Sequence, residues 1–200
     1  MSEKINQNVD VFSNYSEFYD LLYSDKDYTG ETKYINDLLK TFGFSNSKIL
    51  EFGSGTGVHG RMLGDLGHQV TGIERSPTMV QRAIETDNFK NILGDITKVE
   101  LPIKFDCVIS LFHVVSYLLS NSEVLMLFKN AFQHLNENGL FVFDVWYSPC
   151  VNKLRPETRT KKIRNNSLEL IRVAEPVIYE DQNRVDVNYT VFSKPHTSNC

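Results

Sequence analysis

Short apolar runs alternate with amphipathic segments along the first 148 residues of this 200-residue chain. The runs at 48–52, 69–74 and 105–111 predict strands of a parallel sheet that is covered on both faces. Between them apolar residues recur at helical spacing, and Ser76 followed by Pro77 predicts the start of a helix. This alternation is typical of an α/β fold with a mainly parallel sheet. Shorter strands are predicted at 90–93 and 140–146, and helices over the apolar positions of 12–22, 34–42, 58–66, 79–84 and 127–135.

Polar signals bound the last of these helices. Ser120 and Glu123 have the spacing of a capping box, in which each side chain bonds the backbone N–H of the other residue. Asn138-Gly139 predicts the C-cap of the same helix, since glycine adopts the left-handed conformation there without steric cost. The fifth strand is therefore expected to begin at Leu140.

The pattern changes after Pro149. Strands are predicted at 168–173, 176–179 and 184–192, and in the last of these apolar odd positions alternate with polar even positions. Because such alternation leaves one face in water, it indicates an antiparallel, half-exposed sheet. We expect a first domain at 1–149 with an N-terminal helical cap, and an antiparallel β appendage at 150–200.

A glycine-rich turn, Glu51-Phe-Gly-Ser-Gly-Thr-Gly57, follows the first predicted strand. Glycines between a strand and a helix let the backbone approach a ligand closely, with the helix N-terminus facing it. Residues 55–60 alone also fit the G-x-G-x-x-G string of dinucleotide-binding folds, but that string must begin directly after the strand. Because the strand ends at Phe52, the turn begins at Gly53, and counting from there the last glycine position is occupied by Val58.

From Glu51 onward the turn is an acid followed by three alternating glycines, which resembles the first motif of the class I S-adenosylmethionine (SAM) dependent methyltransferases. The resemblance covers about residues 48–148. It implies a Rossmann-like fold, SAM as cofactor and methyl transfer as activity. It also implies that Gly53, Gly55 and Gly57 wrap the methionine part of SAM. Glu51 replaces the usual aspartate and would answer the SAM ammonium group, directly or through water, or orient the loop.

Further strand ends carry candidate contacts to the same cofactor. Glu74 ends the second strand, where a carboxylate can accept hydrogen bonds from both ribose hydroxyls. After the third strand, the resemblance implies that Asp95 binds the adenine amino group and that the backbone of Ile96 contacts the ring. The remaining candidates are Ser54 in the turn, Leu111 after the fourth strand, and three residues that equally fit core packing: Met79, Tyr15 and Tyr23.

Few catalytic side chains are expected, because transfer from an activated sulfonium mainly requires an acceptor held in line with the methyl group. His113 and Tyr117 follow the fourth strand and are the polar side chains predicted near the methyl group. Each would accept a proton, orient an amine or hydroxyl, or simply line the pocket.

The segment that contains them lacks the Asn/Asp-Pro-Pro-aromatic string usual in relatives that methylate amino groups of nucleic acids. Together with the tyrosine-rich N-terminus it resembles the small-molecule branch of the family, including the deoxysugar amine N-methyltransferases. The resemblance implies N- or O-methylation of a small molecule, for which a nucleotide-linked sugar is a candidate.

Composition and charge indicate which classes of binding partner to expect. The net charge of −4 and the pI near 5.7 indicate no nucleic-acid partner, and no apolar run is long enough for a membrane span or signal peptide. Three widely spaced cysteines fit a reducing cytoplasm and no metal site. Between Lys153 and Arg164 stand six basic residues and one acid, which predicts either a phosphate-binding segment for a phosphorylated acceptor or a solvated loop.

Two other functions stay open on the sequence alone. An NAD-type oxidoreductase also uses a glycine turn and an acid at the next strand end, and a SAM-binding module without catalysis would result if the acceptor site were lost. The resemblance implies seven core strands, of which five are used by residue 146. Either the late strands at 168–173 and 184–192 supply a reduced sixth and seventh strand, or the chain is truncated before them, which is what we expect.

Overall fold

A computed structural model describes the backbone of residues 3–5 and the whole of residues 18–195. Lys26–Trp146 forms one compact unit, and the described residues up to Asp25 and from Tyr147 onward form another. The domain limits predicted at 149 and 150 stay a prediction. The helical residues 18–22, expected to cap the first domain, carry Leu22, which packs against Leu170 in the second unit.

Both units contain strands and helices. The strands are β1 (Glu3–Ile5), β2 (Lys48–Phe52), β3 (Gln69–Glu74), β4 (Phe89–Leu93), β5 (Phe105–Ser110), β6 (Leu135–Phe143), β7 (Arg159–Arg164), β8 (Leu168–Tyr179) and β9 (Arg184–Pro195). The helices are α1 (Tyr28–Thr41), α2 (Val58–Asp65), α3 (Pro77–Arg82), α4 (Asn121–His134) and α5 (Ser148–Lys153), with 3-10 turns at Val114–Tyr117 and Glu180–Gln182.

A five-stranded sheet in the order β4-β3-β2-β5-β6 organises Lys26–Trp146, and all its neighbouring strands are parallel. Side chains alternate between its faces, so Ile49 packs with Leu39 of α1 and Leu63 of α2, whereas Leu50 packs with Leu127 of α4. Both faces are therefore buried, which is why the central strands read as continuous apolar runs. The predicted α/β class with a mainly parallel sheet is confirmed.

Local capping follows the sequence at two helix starts. Ser76 accepts the Met79 N–H with Pro77 in the first turn of α3, and Ser120 and Glu123 form the predicted capping box of α4. The expectation that Ile84 extends the apolar face of α3 is wrong. The helix ends at Arg82, and the Ile84 residue is 63% exposed.

The predicted C-cap at Asn138-Gly139 is also wrong. Helix α4 ends at His134 and its C-cap, Leu135, is already extended, so β6 begins there rather than at 140. Asn138 takes the left-handed conformation inside the strand, with φ of 62°, where the β5–β6 register shifts. A Cβ on Gly139 would lie 3.0 Å from the Asp106 carbonyl oxygen. The Asn-Gly pair therefore forms an irregularity in the strand. A helix C-cap and such an irregularity both use the left-handed backbone conformation, so the same residues are typical of either.

A second sheet, with the order β1-β9-β8-β7 and antiparallel pairing throughout, confirms the antiparallel appendage after the fifth strand of the parallel sheet. The two strands predicted at 168–173 and 176–179 are one strand, because Ala174 and Glu175 continue the pairing with β9. Within the described residues, β8 and β9 do not pair with the parallel sheet. The interpretation of the late strands as its sixth and seventh members is therefore wrong.

The basic segment is only partly a loop, since regular structure is absent from its residues 154–158 alone. Its second half is β7, which the sequence did not predict, and it begins within the equally unpredicted α5. Three of its cations form ion pairs with carboxylates: Lys161 with Asp25 at 2.5 Å, Lys162 with Glu169 at 3.0 Å, and Arg155 with Glu180. No helix in the part of the chain that the structure describes is long and apolar enough to cross a membrane.

Candidate active site

The glycine turn lies at the carboxyl edge of the parallel sheet, between β2 and α2. Gly53, Gly55 and Gly57 have φ angles of 72°, 56° and 79°, in the left-handed region that favours glycine. The N–H groups of Gly53 and Ser54 both donate to the carbonyl of Ile73, at 2.8 and 3.2 Å. The turn is thereby fastened to the end of the neighbouring strand β3.

Close packing adds a second requirement for glycine at two of the positions. A Cβ on Gly53 would lie 2.5 Å from Val114, and one on Gly57 would lie 2.4 Å from the ring of Phe89. At Gly55, in contrast, the nearest atom is the sulfur of Met79 at 3.8 Å. The loop is therefore tightly packed at its two ends and has room beside its middle glycine, as a backbone that approaches a ligand requires.

Glu74 and Asn91 hold the turn in shape. Glu74, at the end of β3, accepts the N–H of Gly55 through Oε2 at 3.0 Å and the N–H of Ser76 through Oε1 at 2.8 Å. The hydroxyl of Ser54 donates to Asn91 Oδ1 at 2.6 Å, and the Asn91 amide donates to the Gly55 carbonyl at 3.0 Å. Each Glu74 oxygen keeps a lone pair for a ribose hydroxyl. Asn91 was missed from the sequence, because an amide in the third strand carries no local signal.

Glu51 is the buried acid beneath the turn. Its residue is 2% exposed, since strand alternation directs it to the same face as Ile49, and the Gly60 N–H donates to its carboxyl group. Burial, followed by the negative charge of Glu74, raises the pKa of Glu51 to about 8. Its Oε2 atom has no hydrogen-bond partner among the described residues.

These features fit the ammonium group of SAM. A cation beside Glu51 would supply the missing partner and favour the ionised carboxylate. The bond from Gly60 equally fits an orienting role for Glu51 at the start of α2. The residues present therefore fit SAM, and Glu51, Glu74 and the glycine turn are the groups that would hold it.

The candidate catalytic residues lie on the turn that follows β5. His113 is the N-cap of the 3-10 turn that Tyr117 ends, and the His113 side chain is 42% exposed while the Tyr117 residue is 56% exposed. Val114 in the same segment faces Gly53, so this turn and the glycine turn are neighbours. Asp144, directly after β6, accepts backbone N–H groups from this turn. Asp144 was not predicted as a site residue, although it is an acid at the end of a parallel strand, as Glu74 is.

A cluster of charged and aromatic side chains adjoins Phe112. Lys26 lies over the rings of Tyr28 and Phe112, 4.3 and 4.5 Å from the ring centroids, and forms an ion pair with Glu31. Glu31 also bonds His59 Nε2 at 2.8 Å. Burial lowers the pKa of His59, against the effect of Glu31, so that its ring favours the neutral form. The contact between His59 and Glu31 holds α2 against α1.

The other predicted contacts have varied surroundings. Asp95 bonds the backbone and hydroxyl of Thr97 at 2.8 and 2.7 Å, and although burial acts in the opposite direction, these bonds lower its pKa. Tyr23 belongs to the second unit, where its hydroxyl accepts from Arg172 at 3.3 Å. Ile96 packs on the core that contains Leu50, and Leu111 packs on the core that contains Ile49, on the other face of the sheet. Met79 is 3% exposed, and Tyr15 lies outside the described residues.

Comparison with known proteins independently supports the resemblance to methyltransferases. Residues 49–139 match the family described as Methyltransferase domain. A putative methyltransferase of Geobacillus sp. (strain WCH70) is 30% identical over 68% of this chain, and the match spans only 57% of that relative. A Streptomyces venezuelae protein named dTDP-3-amino-3,4,6-trideoxy-alpha-D-glucopyranose N,N-dimethyltransferase is 27% identical over 88% of this chain and 76% of its own length.

Solved structures show the same fold. Streptomyces venezuelae DesVI superposes with a TM-score of 0.75 at 26% identity, over 91% of this chain and 82% of that one. The SAM-bound amino pentose methyltransferase CalS10 of Micromonospora echinaspora has a TM-score of 0.71 at 19% identity, over 97% of this chain and 84% of that one. With the glycine turn and the strand-end acids in this arrangement, residues 49–139 form a methyltransferase domain of the SAM-dependent type.

Proposed function

We propose that this protein transfers a methyl group from SAM to the amino group of a small molecule, most specifically a nucleotide-linked amino sugar. The observation that carries the cofactor half is the glycine turn with Glu51 and Glu74 at the carboxyl edge of the sheet. The acceptor half is supported by the dTDP-amino sugar N,N-dimethyltransferase that matches 88% of this chain. Because the match to the Geobacillus relative spans 57% of that protein, the activity and acceptor of the whole protein are part of the proposal.

The side chains would act mainly by binding and positioning. When bound, SAM would supply a sulfonium methyl group for transfer to the acceptor nitrogen, and the electron pair of the broken carbon–sulfur bond would stay on sulfur. The glycine turn and Glu74 would fix the cofactor, and His113 or Tyr117 would receive the proton that an amine acceptor must lose. The exposed faces of both side chains are consistent with contact to an acceptor. A cytoplasmic location belongs to the same proposal and is supported by the free cysteines Cys107 and Cys150.

Turnover with a panel of acceptors tests the proposal. Incubation with SAM and a dTDP-linked amino sugar is expected to add one or two methyl groups, as detected by mass spectrometry. Methylation of the matching hydroxyl sugar but not the amino sugar would contradict N-methylation. SAM binding without turnover of any amine or hydroxyl acceptor would favour the non-catalytic module.

Removal of the Glu74 carboxylate is expected to weaken SAM binding by roughly 100-fold, because two charge-assisted hydrogen bonds are lost and the loop is released. Isothermal titration calorimetry of Glu74→Ala measures this change. Glu137→Gln, an exposed acid in β6, is the control and should bind SAM like the wild type. Equal affinities for SAM in both variants would contradict the assigned role of Glu74.

The basic segment provides a separate test of the acceptor's phosphates. We expect Arg155→Ala with Arg159→Ala to raise KM for a nucleotide-linked acceptor about tenfold, since guanidinium groups bind phosphate bidentately. KM for an amino sugar without phosphate should stay unchanged. Arg155 is already paired with Glu180, so binding would require Arg155 to exchange that partner for phosphate. Equal effects of the double variant on both acceptors would contradict phosphate recognition.

A further inference from the structure

The turn after β5 holds two consecutive residues in a conformation that side chains disfavour. Phe112 and His113 have φ angles of 64° and 63°, and neither is glycine. Left-handed backbone is sterically costly for residues with a Cβ, and it persists where the surroundings enforce it. Because the turn lies at the carboxyl edge of the sheet beside Gly53, the groups that enforce it belong to the candidate active site.

The Asp144 carboxylate is the group that holds the turn. Its Oδ2 accepts the Phe112 N–H at 3.2 Å, and its Oδ1 accepts the His113 N–H at 2.8 Å. The backbone N–H of Asp144 donates to the Ser110 carbonyl at 3.2 Å, which fixes the acid at the end of β6. Both oxygens of one carboxylate therefore bind successive N–H groups that the left-handed conformation turns toward them.

The same carboxylate faces the imidazole of His113. Nδ1 of His113 lies 3.5 Å from Asp144 Oδ2 and has no hydrogen-bond partner among the described residues. The indole of Trp146 meets the imidazole edge to face, with ring centroids 6.0 Å apart. A small rotation would bring Nδ1 into hydrogen-bond range, and contacts of this kind often tighten only when a substrate binds. A carboxylate on Nδ1 selects the tautomer with hydrogen on that nitrogen and leaves Nε2 as an acceptor.

We propose that Asp144 is the positioning residue of the acceptor site, which closes the left-handed turn and presents His113 Nε2 as the proton acceptor. The inference rests on the proposed transfer to an amine. An alkylammonium acceptor passes its proton to Nε2, which leaves a nitrogen lone pair for attack, and the imidazolium formed is stabilised by the Asp144 carboxylate. Asp144 acts through His113 and through the backbone of the turn.

The first test reads the tautomer and does not depend on turnover. Nitrogen-15 spectra of the histidine rings, recorded in alkaline buffer with His113 assigned from His113→Gln, are expected to show hydrogen on Nδ1 in the wild type. In Asp144→Asn the population should shift toward hydrogen on Nε2, because an amide N–H presented to Nδ1 favours that form. An unchanged tautomer in a folded Asp144→Asn variant would overturn the inference, whatever acceptor the enzyme uses.

The second test is kinetic. Asp144→Asn and His113→Gln are each expected to lower kcat roughly 100-fold, with KM for SAM within about twofold, and the double variant should lose no more than His113→Gln alone. Asp144→Glu keeps the charge and should recover part of kcat, while the exposed Asp87→Asn is the control. Independent losses that multiply in the double variant would overturn the coupling between Asp144 and His113. If Asp144→Asn does not fold, the recovery in Asp144→Glu and the tautomer of His113 in that variant decide the question. Absence of turnover in the wild type, with the tautomer shift intact, would contradict the proposed function alone.

Discussion

Gly57→Ala is expected to lower the free energy of unfolding by roughly 2 to 5 kcal/mol and to weaken SAM binding at least tenfold. Two costs combine at this residue. Its φ of 79° is unfavourable for any side chain, and an added Cβ would lie 2.4 Å from two ring atoms of Phe89. Phe89 is fully buried beneath the turn and cannot retreat without opening the core. Urea denaturation and calorimetry with SAM measure the two effects.

Gly43→Ala is the matched control for this substitution. Gly43 has a φ of 87°, and a Cβ there would meet nothing within 4 Å. It therefore carries the backbone cost without the collision, and we expect a loss of about 1 kcal/mol. If both variants lose the same stability, then the packing of Phe89 against the turn is not what requires glycine at 57.

The pH dependence of stability is expected to report the proton on Glu51. Burial and the charge of Glu74 raise the pKa of Glu51 from 4.5 to about 8, so between these values the folded chain keeps a proton that the unfolded chain has lost. The stability contributed by this group is therefore complete at low pH and is lost as pH rises toward 8. The free energy of unfolding of the wild type, relative to Glu51→Gln, should fall by at most about 1.4 kcal/mol per pH unit. Because the slope is smaller near each of the two pKa values, the total fall between pH 5 and 8 should be roughly 3 kcal/mol.

Glu169→Gln is the control for the Glu51 experiment. Hydrogen bonds from Lys162 and Lys194 lower the pKa of Glu169, so the carboxylate stays ionised in both folded and unfolded chains above pH 5. The difference between wild type and Glu169→Gln should be flat from pH 5 to 8 and should change only in more acidic solution. Parallel curves for wild type and Glu51→Gln over that range would mean that Glu51 is ionised in the folded protein.

Much of the parallel sheet was predictable because its signals are local. The apolar runs at β2, β3 and β5 follow from burial on both faces, and the caps at Ser76 and Ser120 satisfy backbone groups within their own helices. The glycine turn and Glu74 were found for the same reason, since the residues that form them are neighbours in sequence. The prediction of a helix C-cap at Asn138-Gly139 was wrong because a helix cap and a strand irregularity use the same left-handed backbone conformation.

Contacts between distant segments could not be predicted in this way. Asn91 bonds Ser54, which is 37 residues away in sequence, and Asp144 accepts from the turn at 112–113, which is about 31 residues away. Asn91 lies in the middle of β4 and Asp144 directly follows β6, and neither can be assigned a partner until the order of the strands in the sheet is known. Strand β7 could not be predicted for a related reason. Its exposed basic residues are equally typical of a loop, and it is a strand because it pairs with β8.

The sequence alone was sufficient for the α/β class, the acid–glycine turn, the acid at the end of β3 and the resemblance to the SAM-dependent methyltransferases. These depend on hydrophobic period and on backbone conformations that single residues impose. The tertiary structure was needed to show that the Glu51 carboxyl is buried with one oxygen that has no partner among the described residues. It was also needed to show that Asn91 fastens the loop and that Asp144 faces His113. Burial and the fields of neighbouring charges depend on which strands lie side by side, and that order is set by packing over the whole sheet.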